Sequence, residues 1–212
     1  MNMIAEIVIF AAASYLYGAV PYAHIATYLF KRKNLSKEGT GNIGVTNAFK
    51  VGGYAAGTIT VLGETSKALV PIVIARLFFS GNLYITLLFV FLSLVGTSFS
   101  IFLKGKGGKG STVAMWSLLI LSPYSLFTLL ALWIVVLKVS RGNFLIKKIP
   151  LLFIPIIIYY FENDILFALF GLLTSILFYL NSYRRKDDFV HYGIFHQKSD
   201  LRDTHDAHTL RS

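Results

Sequence analysis

Long apolar runs broken by short polar stretches set the pattern of this chain. Uninterrupted apolar segments cover residues 3–30, 54–79 and 82–103, each near or above the roughly 20 residues that cross a hydrocarbon core about 30 Å thick. Two further stretches are interrupted: 111–138 carries Pro123 directly after Ser122, and 149–181 carries Glu162, Asn163 and Asp164. Proline lacks an amide hydrogen and carboxylates avoid lipid, so each stretch reads as one long span or two short ones. The first run has no basic leader and no small-residue cleavage site, which predicts a retained span rather than a signal peptide. Within it Gly18, Pro21 and His24 predict a kink with a polar lining.

The basic residues choose between these topologies, because cytoplasmic loops collect Lys and Arg. With seven spans, several of them short or broken, and with the N-terminus outside and the C-terminus cytoplasmic, eighteen of the twenty basic residues fall inside. They lie at 31–50, at 104–109, at 138–148 and after residue 183; only Lys67 and Arg76 sit within a span, and the outer turns near 80–82, 122–123 and 162–164 carry none. A five-span arrangement would put the 138–148 group outside. The fold expected is therefore an all-α integral membrane protein. Residues 1–182 form one membrane domain, with cytoplasmic glycine-rich loops at 31–53 and 104–111, and residues 183–212 form a polar cytoplasmic tail.

Composition agrees. The chain of 212 residues is 55% hydrophobic and only 14% charged, with a mean hydropathy of +0.65, too apolar for a soluble globular domain. The net charge of +10 follows largely from positive-inside bias, and no nucleic-acid partner is expected. The absence of cysteine excludes disulfides, thiolate ligands and cysteine nucleophiles.

What charge bias does not explain is the glycine. Residues 39–50 read GTGNIGVTNAFK and residues 104–111 read KGKGGKGS. Glycines let backbone N–H groups converge on an anion, Lys106 and Lys109 add charge, and neither loop carries the side chains for a packed core of its own. A phosphate site at the membrane surface is the chemistry implied. Gly39, Gly41 and Gly44 fit the spacing G-x-G-x-x-G, but no strand precedes them as a dinucleotide site requires. Gly110 separates Lys109 from Ser111, which breaks the ATPase phosphate-loop pattern. Asn42, Thr46 and Asn47 supply neutral donors and acceptors beside the first loop. Glu64 and Lys67, three residues apart, share a helix face and can pair within the second span. Four of the five histidines lie in the tail, at 191, 196, 205 and 208, and no metal or other cofactor is expected.

In sequence, SYLYGAVPYAHIA, GTGNIGVTNAFKVGGYAAG, GETSKA and GTSFSIFLKGKGGKGSTVA resemble the successive signatures of the bacterial acyl-phosphate:glycerol-3-phosphate acyltransferases, small seven-span membrane enzymes. The resemblance covers about residues 14–115 and is specific through the two loops; beyond them it rests on hydrophobicity, on Leu132 and Trp133, and on the basic tail. Thr40 stands where the family usually has Ser, Lys50 where it has Arg, Glu64 where it has Asp, and Thr97 where it has His. In the tail, Arg184, Arg185 and Asp188 occupy a region where the family has His and Asn, and His191 is a possible spatial substitute.

The resemblance implies transfer of a fatty acyl group from acyl phosphate to the sn-1 hydroxyl of glycerol 3-phosphate, giving lysophosphatidic acid and phosphate for phospholipid biosynthesis. It implies a multi-pass protein of the cytoplasmic (inner) membrane, with membrane lipid as its surroundings; a monomer is expected. Thr40, Asn42 and Lys50 become the expected catalytic residues. Gly39, Gly41, Gly44, Asn47, Lys104, Lys106, Gly107, Gly108, Lys109, Gly110 and Ser111 are expected to bind substrate or phosphate, braced by Glu64 and Lys67. Two other classes stay open: a catalytically lapsed paralogue that binds anionic lipid or a partner enzyme, and a transporter or flippase of phosphorylated metabolites or lipids.

Overall fold

A computed structural model describes residues 2–139, 146–184 and 191–192. The expected tail, with His196, His205 and His208, lies outside these residues apart from its first positions and the pair His191 and Tyr192, as does Arg141. The described chain is helical and contains no strand. In order come α1 (Met3–Ala19), α2 (Tyr22–Lys31), α3 (Val45–Phe78), α4 (Leu83–Ser98), α5 (Ser111–Leu121), α6 (Pro123–Val139), α7 (Ile149–Glu162) and α8 (Ile165–Arg184). Together α1 and α2 make the first span, and with α3 and the α4 region they are long enough to cross a bilayer, whereas the four later helices are shorter. Seven apolar helical units result. Both interrupted stretches resolve into pairs of short helices, at Ser122 and at Asn163–Asp164.

The first span breaks where its sequence forces it to. Pro21 has no N–H to give, and Tyr22 N–H turns to Val20 O at 3.0 Å, so the carbonyls of Gly18 and Ala19 lose their helical donors. Two hydroxyls from α4 and the turn after it replace them: Thr97 Oγ1, shared with Ser93 O of its own helix at 2.9 Å, donates to Gly18 O at 3.1 Å, and Ser100 Oγ donates to Ala19 O at 2.5 Å. The helices come close enough because the contact is lined by glycine. A Cβ on Gly18 would lie 2.1 Å from Ser93 O, and one on Gly96 would lie 2.2 Å from Tyr15 O, the small-residue packing typical of membrane helices.

Two sets of contacts fix the ends of the bundle. At one end, Ser122 Oγ donates to Glu162 and Tyr84 Oη donates to Asp164 at 3.0 Å, gathering the three turns without basic residues. At the other, the second glycine loop packs on the first, with Gly108 against the Ile43 carbonyl. The helices between them alternate in direction, as the seven-span reading requires. A core drawn from α3 to α8, including Val90, Leu94, Val113, Ile158 and Phe167, fills the bundle, while Leu62, Leu77, Leu152 and Ile165 are exposed. A chain apolar both inside and outside has lipid as its solvent.

The first polar segment is more ordered than its composition predicts. Leu35 and Ile43 are buried with Ala23 and Ala48, against Val51 and Leu103, so this loop does have a small core of its own. Helix α3 also begins earlier than the apolar run at 54, and it breaks at Gly53, whose φ is 82°. The break folds its first two turns back over the rest. The Phe49 ring lies 2.2 Å from where a Gly57 Cβ would be, and Phe49 meets Tyr54 edge-on at 6.1 Å.

Candidate functional site

Val45 and Glu64 show what this fold-back achieves. In a straight helix, nineteen residues would separate them by about 28 Å; here both line one pocket. Its remaining walls are Asn42, Ile43, Gly44 and Thr46 from the first loop and Lys109, Gly110, Ser111 and Thr112 from the second. The N-terminal turns of α3 and α5 therefore meet in one cavity. Each offers backbone N–H groups with no helical acceptor, and each carries the positive end of a helix dipole, so together they favour an anion. Lys109 supplies a full charge beside them.

The second loop is tied by main chain to the end of α4 and packs against the main chain of the first loop. Gly108 N–H donates to Thr97 O at 2.8 Å. A Cβ on Gly107 would lie 2.0 Å from that same carbonyl oxygen, and one on Gly108 would lie 2.3 Å from Ile43 O. A side chain at Gly107 would push the loop off α4, and one at Gly108 would drive the two loops apart. Gly110, with φ of 80°, caps α5 in a left-handed conformation. Below it Asn181, at the end of the last apolar span, donates from Nδ2 to Ser98 Oγ at 2.9 Å and is 1% exposed.

The first loop is organised around Asn47, which is fully buried. Its Nδ2 donates to the carbonyls of Asn42 at 2.9 Å, Glu38 at 3.2 Å and, at 3.5 Å, Leu35. Its Oδ1 accepts from Thr40 N–H at 3.2 Å and from the hydroxyl of Tyr192. Thr40 Oγ1 in turn accepts from Asn42 N–H at 3.2 Å. Lys50 is exposed, its Nζ 5.7 Å from the centroid of the Tyr192 ring.

Glu64 and Lys67 are buried and paired, Lys67 Nζ donating to Glu64 Oε1 at 2.7 Å. Tyr22, just past the break in the first span, braces them from behind. Its ring stands 5.5 Å from Lys67 Nζ and takes the space a Gly63 side chain would need.

Comparison with known proteins adds the family. The model for "Glycerol-3-phosphate acyltransferase" matches residues 8–190. The chain belongs to that family. A glycerol-3-phosphate acyltransferase of Pelagibacter ubique is 32% identical over 158 residues, 74% of this chain and 81% of the relative. That of Nitrosomonas eutropha is 34% identical over 186 residues, 84% and 90% of the two chains. The fold is shared with a crystal structure of PlsY (YgiH), an integral membrane glycerol 3-phosphate acyltransferase, in its glycerol 3-phosphate form. The TM-score is 0.72 at 19% identity, covering 94% of this chain and 98% of the other. As a member of the glycerol-3-phosphate acyltransferase family the chain is a multi-pass membrane acyltransferase.

Of the residues picked out by sequence, the fold brings Asn42, Gly44, Lys109, Gly110, Ser111 and Glu64 to the pocket. Thr40, Lys50, Asn47, Gly39, Gly41, Gly107 and Gly108 support the two loops around it, and Lys67 stands behind Glu64. Lys104 and Lys106 are exposed and do not line it. His24 is half-buried in α2, also off this lining. Thr97 spends no group on the cavity: its hydroxyl serves the break in the first span and its carbonyl holds Gly108. His191 is exposed, edge-on to Tyr192 at 4.9 Å. Tyr192 and Asn181 were not legible as site residues. The only sequence signal for Asn181 is a carboxamide closing an apolar run, and Tyr192 sits in a tail with no periodicity.

Proposed function

We propose that this acyltransferase moves a fatty acyl group from acyl phosphate to the sn-1 hydroxyl of glycerol 3-phosphate, releasing lysophosphatidic acid and phosphate. The observation that carries the reading is the meeting of two helix N-termini, Lys109 and Asn42 in one pocket at the end of the bundle where the basic loops gather. Both substrates bear a phosphate, and the leaving group is one. An acyl phosphate is already activated, so holding the hydroxyl against the acyl carbon and stabilising the departing phosphate account for the work required. The hydroxyl oxygen attacks the acyl carbon, the new ester C–O bond forms, the bond from that carbon to the phosphate oxygen breaks, and the hydroxyl proton passes to a phosphate oxygen of the donor. Lys109 and the α5 N-terminus hold one phosphate; Thr40, Asn42 and Lys50, on the loop steadied by Asn47, serve the other substrate and the reacting centre. Lys104 and Lys106, exposed beside the pocket, draw anions towards it.

The same reading places the basic loops in the cytoplasm, the N-terminus outside and the protein, as a monomer, in the cytoplasmic membrane. Purified protein given palmitoyl phosphate and labelled glycerol 3-phosphate is expected to form labelled lysophosphatidic acid, and palmitoyl coenzyme A is expected not to replace the donor. Absence of product from folded protein with acyl phosphate would remove this reading. A second reading, a binding-competent but catalytically lapsed relative, is favoured by Thr97, whose hydroxyl is tied to the helix break. It predicts glycerol 3-phosphate binding without turnover in the same preparation.

A further inference from the structure

An acidic residue is out of place in a pocket built for phosphate, and Glu64 is such a residue. It lines the cavity with Lys109 and the two helix N-termini, yet it is only 4% exposed. One oxygen, Oε1, is held by Lys67 at 2.7 Å, and Oε2 meets no hydrogen-bond donor among the described residues. Holding a carboxylate almost wholly out of water beside a site for dianions costs free energy twice, through desolvation and through repulsion. A ligand offsets both costs when the part nearest Glu64 is a donor. Lys67 does not line the cavity: its ammonium is turned to Glu64 Oε1 and stands over the Tyr22 ring. The charge pattern thus divides the pocket into an anion end, at Lys109 and the helix N-termini, and a donor-binding wall at Glu64. A polyol monophosphate has that polarity.

Resting on the reading of the substrate given above, we infer that Glu64 Oε2 accepts a hydrogen bond from a free hydroxyl of glycerol 3-phosphate and so makes the site select a polyol phosphate over its deoxy analogues. Lys67 and Tyr22 are the positioning residues that aim the carboxylate. The acyl donor, which has no hydroxyl at its head, gains nothing from this wall, so Glu64 also separates the two phosphate-bearing substrates. A hydrogen bond to a charged acceptor is worth about tenfold or more in affinity.

The test compares three ligands on the full-length protein in lipid. Glycerol 3-phosphate and 3-hydroxypropyl phosphate, which lacks the C2 hydroxyl, are assayed as acyl acceptors with palmitoyl phosphate. Propane-1,2-diol 1-phosphate, which lacks the accepting hydroxyl, is measured as a competitive inhibitor. The wild type is expected to favour glycerol 3-phosphate over one deoxy analogue by about tenfold or more, and Glu64→Gln is expected to erase that preference while leaving inhibition by inorganic phosphate within about threefold. Equal losses on all three ligands, or an unchanged preference, would overturn the inference. Should Glu64→Gln fail to fold because Lys67 is left unpaired, Glu64→Gln with Lys67→Met removes the stranded cation and gives the same readout. Lack of turnover by the wild type itself would instead sink the proposed reaction, so the two failures are distinct.

Discussion

Tyr192 donates its hydroxyl to Asn47 Oδ1 across 145 residues of sequence. The contact passes directly over Gly39, where a Cβ would lie 2.1 Å from the tyrosine oxygen and 2.3 Å from the carboxamide oxygen. Tyr192 thereby fastens the first glycine loop, and Gly39 is the gap through which it reaches.

Asn47 is expected to tolerate no isostere. Asn47→Asp keeps the shape but turns the donor towards the carbonyls of Leu35, Glu38 and Asn42 into an acceptor, so it should lower thermal stability in detergent at least as far as Asn47→Ala, by about 2 kcal/mol or more. Tyr192→Phe removes one bond and should cost about 1 kcal/mol. An Asp variant as stable as the wild type would contradict this account of the loop.

The lysines of the second loop are expected to separate. Lys109→Ala should raise the KM for a phosphate-bearing substrate about tenfold or more, the loss of one charge-assisted contact. Lys104→Ala and Lys106→Ala, exposed and off the pocket, should change it less than threefold, and that smaller effect should fade as salt is raised. Steady-state kinetics at two ionic strengths decide the point.

The glycines of that loop should separate as well. Gly107→Ala and Gly108→Ala place a methyl against fixed carbonyl oxygens and are expected to abolish most activity. Gly105→Ala meets no atom within 4 Å and pays only for its φ of 77°, about 1 kcal/mol of stability. Activity and melting temperature of the three variants, measured together, test this order.

Ser100→Ala leaves the Ala19 carbonyl at the broken first span without its donor. An expected loss of about 1–3 kcal/mol follows from an unsatisfied buried carbonyl. Unfolding followed by tryptophan fluorescence in detergent would report it, and an unchanged midpoint would mean that another donor takes over.

At the opposite end, Asp164 accepts from Phe167 N–H, and this, with the Tyr84 hydroxyl, holds its carboxyl below the usual 3.8. A depressed carboxylate stabilises the folded state above its unfolded pKa, and that contribution is lost as pH falls through the folded value. The stability difference between wild type and Asp164→Asn should therefore shrink as pH drops below the ordinary carboxylate range, which melting curves across that range would show.

Much of this architecture is readable from local chemistry. Pro21, Ser122 with Pro123, and the Glu162–Asp164 run each announce a break, because an absent amide hydrogen or a charge in lipid leaves few alternatives. The two glycine loops are equally plain, since only positive φ or close backbone approach accounts for so many glycines. The fold-back at Gly53 is hidden, for a Gly-Gly pair ahead of an apolar run looks like the end of a loop rather than the middle of a helix. The burial of Leu35 and Ile43 is hidden too, their apolar side chains being diluted among lysines and glycines. Tyr192 belongs to a third kind: its role exists only through contact with a residue far away, and no periodicity marks it. Sequence therefore located the loops; it did not show that α3 turns back to put Glu64 between them.

The contacts of Gly107 with Thr97 and of Gly108 with Ile43 set the second loop against the end of α4 and against the first loop through main-chain atoms. Their spacing is thus indifferent to which side chains cover the bundle's outer surface. Lipid-facing positions can be exchanged to suit a thicker, thinner or stiffer bilayer while the gap between the two helix ends stays as it is, so such a protein can adapt to a new membrane without retuning its chemistry.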